Sequence, residues 1–401
     1  MSTLGVIDYD GAIHFCKETD EKKETGILTV SKDNLERMAF PQWAPTWDIK
    51  HDHTFKNIET FKHIDRGLFA DPELKSLKNI EGIQFKRVSP KLGLEVDGVQ
   101  LSSLSNQQKD DLALLIAKHG VIAFRNQDFK NQSFESIKDW GRYYGPLHVH
   151  PTSGAPDGHP EFHLVYRRGS ADEQVKMFQN KLHNIIWHTD VAYENQPPGL
   201  TLFAMLESGD AGGDTQFLDL FEAYDRLSPL MKDLIDDLKV LNTSQDQARS
   251  AKLAGGIERK DPSDNIHPLV RYHPVLKRKG LYVNRNFSRR ILGMKVEESD
   301  NLLLFLINHI EKCLDAHVRM NWDEDTVVVW DNRRVLHTAT FDWDTDDIRH
   351  AFRVTTIAER PVSSEEEYES WTPELEKEEQ KSIPLYINMS PAEYYEKVIK
   401  P

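Results

Sequence analysis

Seventeen histidines and 65 acidic residues are the metal-capable side chains of this 401-residue sequence, because its two cysteines, Cys16 and Cys313, cannot make a paired-cysteine site. Two histidines and one carboxylate on one face of an octahedron hold Fe(II) and leave three positions open. A His-x-Asp pair on a strand suits that geometry, since alternate strand residues point to the same side. Chance gives 17 × 65/401, or about 2.8, His-x-acid triplets, and the sequence has four: His63-Ile64-Asp65, His159-Pro160-Glu161, His188-Thr189-Asp190 and His309-Ile310-Glu311. Spacing alone does not choose among them. His309 and Glu311 fall in a helical run, where i and i+2 face apart. His159 and Glu161 lie in a loop and His63 and Asp65 in an irregular N-terminal segment, and both pairs read as solvated polar residues. His188 and Asp190 sit at a strand end, and as residues alone they are either a metal pair or a polar strand edge.

Other side chains carry two readings each. His337 is a metal ligand or an ordinary buried histidine. Arg349 and Arg353, four apart in a strand, share a face, either to hold an anion or to answer Asp342, Asp344, Asp346 and Asp347 just before them. Asp331, six residues before His337, is a rival carboxylate, but Asp331-Asn332 between two strands reads as a turn.

The elements that must position these residues begin near Phe85. Asn106–His119 is a helix closed by Gly120 as C-cap, Val121–Phe124 a buried strand, and Ser133–Tyr144 a second helix ended by Gly145-Pro146. A long Gly/Pro/His-rich loop follows to Pro160. Strands are expected at Phe162–Arg167, Ile185–Tyr193, Leu200–Leu206 and Thr215–Leu218, helices at Leu220–Leu227 and Pro229–Leu238, and strands at Pro268–His273 and Leu281–Val283. A helix over Glu297–His317 precedes strands at Thr326–Trp330, Arg334–Thr340 and Arg349–Ala358. Many short strands with helices before and between them predict a mainly β fold, a sandwich or barrel buttressed by helices. Residues 1–78 read as an irregular arm packed on the main domain, 79–362 as that domain, and 363–401 as an acidic tail whose Glu-rich start is a solvated surface segment.

Composition removes several function classes. A net charge of −15 argues against a nucleic-acid binder, although a few arginines inside a pocket still hold a small acidic ligand. The longest apolar run, Leu302–Ile307, is six residues, against about 20 for a membrane span. Two cysteines and an acidic, Lys/Glu-rich start point to a reducing, cytoplasmic setting.

Five segments in order then carry a resemblance. Trp187-His188-Thr189-Asp190, Gly212-Gly213-Asp214-Thr215, Trp330-Asp331-Asn332, His337 and Arg349-His350-Ala351-Phe352-Arg353 resemble the taurine dioxygenase family of Fe(II)/2-oxoglutarate-dependent oxygenases, over about Ser89 to Arg360, with the arm and tail similar to fungal-type members. The resemblance implies a double-stranded β-helix, or jelly roll, flanked by helices. It implies iron ligands at His188, Asp190 and His337, and 2-oxoglutarate held by Arg349 with the Thr215 hydroxyl. It implies a substrate anion held by Arg353 and His150, with Asn184 at the substrate's far end. The activity so implied couples decarboxylation of 2-oxoglutarate, with O2, to hydroxylation of a small alkyl sulfonate such as taurine, releasing sulfite and an aldehyde. A sulfate ester is the alternative substrate, then another small molecule. A non-catalytic jelly-roll binding protein has no use for three ligands plus Arg349, and a zinc hydrolase lacks a general base here. A homo-oligomer is expected.

Overall fold

The computed structural model describes residues 26–378, apart from 31, 49, 52–54, 168–186, 254–256, 344 and 346, together with residue 396. Ten strands form its core: β1 (Gln84–Arg87), β2 (Leu94–Asp97), β3 (Val121–Phe124), β4 (Phe162–Arg167), β5 (Pro198–Glu207), β6 (Thr215–Asp219), β7 (His317–Met320), β8 (Val327–Asp331), β9 (Val335–Ala339) and β10 (Arg349–Ile357). Seven make one sheet in the order β1-β2-β3-β8-β5-β10-β4, and three make a second in the order β7-β6-β9. Every pairing is antiparallel except β2 with β3.

Strand periodicity of two sets what each face does. On β8, Val327 and Val329 pack outward against the helices, while Val328 and Trp330 pack inward toward the second sheet. On β5, Leu202 and Ala204 go outward and Phe203 and Met205 inward. Both faces are buried, so these strands read as continuous apolar runs. The outer layer is supplied by the Asn106–His119 and Phe134–Arg142 helices through Leu112, Leu115, Ile116, Ile137 and Trp140. The Val296–Glu311 helix covers the outer side of the three-stranded sheet through Leu303, Leu306 and Ile310, which pack with Leu218 and Leu336. The result is the expected jelly roll: two sheets closing on one inner layer, with helices outside.

The expected helix over Glu297–His317 ends at Glu311, because His317 enters the edge strand β7. A mostly polar helix, Gln245–Leu253, which buries the small Ala248 and Ala251, is absent from the sequence expectation. The arm is more than a surface wrap: Trp43 is buried in the main core, stacked on Phe352 at 4.2 Å and edge-on to Phe162 at 5.1 Å. The start of the acidic tail is not wholly solvated, since Trp371 and Glu376 are buried and Glu376 pairs with Arg360.

Candidate active site

His188 and His337 are placed by one isolated antiparallel bridge, each backbone N–H donating to the other's carbonyl at 3.1 and 2.9 Å. The strand expected over Ile185–Tyr193 is therefore only this bridge; 185 and 186 lie outside the described residues, and the chain turns at Asp190. Val191 has φ of 38°, a strained value for a β-branched residue, and the turn carries Asp190 onto the two imidazoles. The donor atoms of His188, Asp190 and His337 lie within 4.8 Å of one another. His337 Nε2 is 3.6 Å and His188 Nε2 4.0 Å from the same oxygen, Asp190 Oδ1.

The environment prepares these groups for a cation. Burial and the adjacent His188 push the His337 imidazole down to about 3, so it is neutral with a lone pair to give. Burial raises Asp190, but Arg353, His337, His188 and the Thr201 hydroxyl outweigh it, so the carboxylate is held below its ordinary value. Thr201 Oγ1 donates to Asp190 Oδ2 at 2.9 Å, and Asn332 Nδ2 donates to Thr201 Oγ1 at 2.8 Å. Asn332 Oδ1 accepts the Asp190 N–H at 3.2 Å and Trp330 Nε1 at 3.0 Å. One carboxylate oxygen is thus tied down and the other faces the imidazoles. Two imidazoles and one ionised carboxylate at this spacing fit a divalent first-row metal.

The group opens into a cavity of about 140 Å³, which also takes in Thr215, Arg349, Arg353 and His150. Arg349 and Arg353 point inward from β10 while Phe352 and Val354 point outward. Burial, then the nearby Arg167, lowers Arg349 to about 10, with Asp214 pulling the other way. The Gly-Gly pair makes room for it. A Cβ on Gly213 (φ +66°) would lie 3.2 Å from Arg349 Nε, and one on Gly212 (φ +84°) 2.7 Å from Trp343 Cα. The Thr215 hydroxyl accepts Trp322 Nε1 at 3.2 Å.

Arg353 donates to Asp190 Oδ1 at 2.5 Å and to His163 Nδ1 at 2.6 Å. A guanidinium only donates, so His163 Nδ1 is the acceptor and its Nε2–H donates to Ser153 Oγ at 3.2 Å. His150 Nδ1 accepts the backbone N–H groups of Thr152 and Ser153 at 3.2 and 3.1 Å, which leaves the proton on Nε2 as a donor. His148 is buried elsewhere against Glu194, at 3.1 Å. Asn184 lies outside the described residues.

Two expectations are corrected. His63 and Asp65 are buried, not solvated, and Asp65 Oδ2 accepts Arg333 Nη1 at 2.5 Å. Asp331 is the buried end of β8, where its carboxylate accepts from Arg333 at 2.7 Å and pairs with His273 at 3.0 Å. Its charge is spent there rather than at the histidine pair. Sequence reasoning missed His163 and Arg167, although the run Phe-His-Leu-Val-Tyr-Arg of β4 alternates polar residues inward, a pattern able to mark them.

A jelly roll whose inner layer holds a two-histidine, one-carboxylate group beside buried arginines defines an iron-dependent oxygenase class. Residues 84–355 match the taurine catabolism dioxygenase TauD, TfdA family. The chain belongs to this family, and is a dioxygenase that takes Fe(II), 2-oxoglutarate and O2. It is 45% identical over 352 residues to the alpha-ketoglutarate-dependent sulfonate dioxygenase of Saccharomyces cerevisiae, covering 87% of this chain and 85% of that one. It is 27% identical over 285 residues to the alpha-ketoglutarate-dependent sulfate ester dioxygenase of Pseudomonas putida, covering 69% and 89%. A crystal structure of a taurine dioxygenase from Burkholderia xenovorans superposes with a TM-score of 0.56 at 27% identity, covering 70% of this chain and 92% of that one. No helix among the described residues is long and apolar enough to cross a membrane.

Proposed function

We propose that the enzyme hydroxylates a small alkyl sulfonate such as taurine at the carbon bearing sulfur, the product collapsing to sulfite and an aldehyde. His188, Asp190 and His337 hold the iron in this reading; Arg349 and the Thr215 hydroxyl hold the distal carboxylate of 2-oxoglutarate; Arg353 and the Nε2–H of His150 hold the sulfonate. Asn184, outside the described residues, is assigned to the far end of the substrate in the same reading. Iron with 2-oxoglutarate and O2 supplies the oxidising power, and succinate and CO2 leave. The chain's own part is to fix Asp190 through Thr201 and Asn332, to present two cationic groups for two anions, and to wall the reacting carbon from water with Phe203, Phe287 and Trp330. A guanidinium fork matches a planar carboxylate with two parallel hydrogen bonds, which a lysine cannot do.

The observation that carries the reading is the sharing of one cavity by the three donor atoms, Arg349 and Arg353, supported by the sulfonate dioxygenase of yeast among the relatives. A cytoplasmic homo-oligomer that does not engage nucleic acid belongs to the same reading, supported by the charge of −15 and by Leu304, Phe305 and Leu314 exposed on or just after one helix. The test is a panel of alkyl sulfonates and sulfate esters with Fe(II) and 2-oxoglutarate, scoring succinate and sulfite. Sulfite from taurine or another sulfonate is expected. Sulfate release from the esters with no sulfite from any sulfonate would move the substrate to the ester class.

A further inference from the structure

Strands β4 and β10 are antiparallel in a register that sets Arg167 opposite Arg349, Val165 opposite Ala351, and His163 opposite Arg353. Both Arg167 and Arg349 are buried, and both line the cavity that holds Thr215 and the metal-capable group. Directly opposed residues start about 4.5–5.5 Å apart at Cβ, and like charges so placed repel. Burial removes the water that would otherwise screen them; burial first, and Arg167 second, lower Arg349. Asp214 offers only partial relief, because its carboxylate is engaged by Arg319. Arg167 lays its guanidinium on the Trp343 ring, 3.6 Å from the centroid. Stacking uses the face of the group rather than its edge.

Two opposed, buried guanidiniums in one cavity describe a place for an anion. We propose that Arg167 is the second guanidinium of the cosubstrate site: with Arg349 it takes the distal carboxylate of 2-oxoglutarate, and the pair selects a dicarboxylic 2-oxo acid over a monocarboxylic one. This rests on the reading of Arg349 as the carboxylate residue. A carboxylate has about four lone-pair sites, and one guanidinium fork fills two. An anion between the two arginines also cancels their mutual repulsion, so each makes the other's contact more favourable.

The test is calorimetric titration of the Mn(II)-loaded full-length protein, without turnover, using 2-oxoglutarate and 2-oxopentanoate, which has the same carbon chain but a methyl in place of the distal carboxylate. Arg167→Leu is expected to weaken 2-oxoglutarate binding at least tenfold and to leave 2-oxopentanoate within twofold. Arg167→Lys, which keeps charge without the fork, should fall between, and it carries the test if the leucine variant does not fold. Equal losses for both ligands would show that Arg167 only supports Trp343, and unchanged 2-oxoglutarate affinity would likewise overturn the proposal. Arg349→Gln is the control: if it binds 2-oxoglutarate normally, the underlying reading of Arg349 has failed, whereas loss there with no effect at Arg167 rejects this inference alone.

Discussion

Asp190 Oδ1 faces two imidazoles and also accepts the Arg353 guanidinium, so the residue read as the substrate's anchor is coupled to the residue read as a metal ligand. Arg353→Ala should therefore do two things. Loss of the guanidinium from a buried anion site costs about 2–5 kcal/mol of binding, so sulfonate KM should rise at least about thirty-fold. Asp190 also loses the charge that does most to hold its carboxylate ionised, so Fe(II) affinity should fall, as read by titration of metal into the apoprotein. A variant with raised KM and wild-type metal affinity would show that the Arg353–Asp190 contact does not support the metal group. Asp65 is the opposite case, a triplet acid whose work is structural. Asp65→Ala leaves Arg333 short of one buried partner, which costs about 3 kcal/mol of stability, softened by the remaining Asp331 and Glu359 contacts. Urea unfolding should shift accordingly while metal affinity stays put. Spacing alone could not separate these two triplets, because both are His-x-Asp and the difference lies in what the fold brings opposite them: His337 for one, Arg333 for the other.

At the scale of elements, what could be read depended on how local its cause was. The Asn106–His119 helix was legible to the residue, since Ser105 with Gln108 makes a capping box and Gly120 closes the other end with φ of 75°. Gly120→Ala should be costly for two reasons: the left-handed conformation, and a Cβ 2.5 Å from Leu92 Cδ1. A loss of at least about 1–2 kcal/mol is expected, measurable as a lower thermal midpoint; a neutral change would mean the helix end relaxes freely. Strand β10 was legible for the same reason, its period of two putting Arg349 and Arg353 on one face. The His188 segment was not. It reads as a strand because it is apolar and β-branched on either side, yet its conformation is imposed by a single distant bridge to His337 and a turn at Val191. The Gln245–Leu253 helix buries the small Ala248 and Ala251, too weak an apolar signal to mark it.

Across the whole molecule, many charges and imidazoles are buried, and their linkage sets an acid limit on stability. Burial, then Arg360, pushes His267 down to about 3. Burial opposes ionisation of Glu359, but Arg333 and Arg271 hold it at about 2. In the unfolded chain the imidazole takes its proton near 6.5 and the carboxylate near 4.5. Between those values and the folded ones the unfolded state binds more protons, so acid favours unfolding. The histidine contribution is complete above about pH 6.5 and lost toward 3, and the carboxylate contribution is complete above about 4.5 and lost toward 2. Urea melts of the metal-free protein from pH 8 to 4 should show stability flat near neutrality and falling below about 6.5; a rise on acidification would contradict the assignment.

Trp43 has one more consequence. The match to the dioxygenase family as a whole spans residues 84–355, which invites excision of a shorter fragment as the catalytic unit. Yet Trp43 fills the core against Phe352, its carbonyl accepts His350 Nε2 at 2.9 Å, and Trp47 Nε1 donates to the Thr152 carbonyl at 3.0 Å, beside His150. Removing that one indole would cost about 3–5 kcal/mol as a cavity, and it would strip the outer support of the strand that carries Arg349 and Arg353. A fragment of residues 79–362 should fail to fold autonomously, recovered only in inclusion bodies or as a protease-sensitive species, and supplying residues 26–78 as a separate peptide should restore protection. In this chain the span shared across the whole family is shorter than the span that folds.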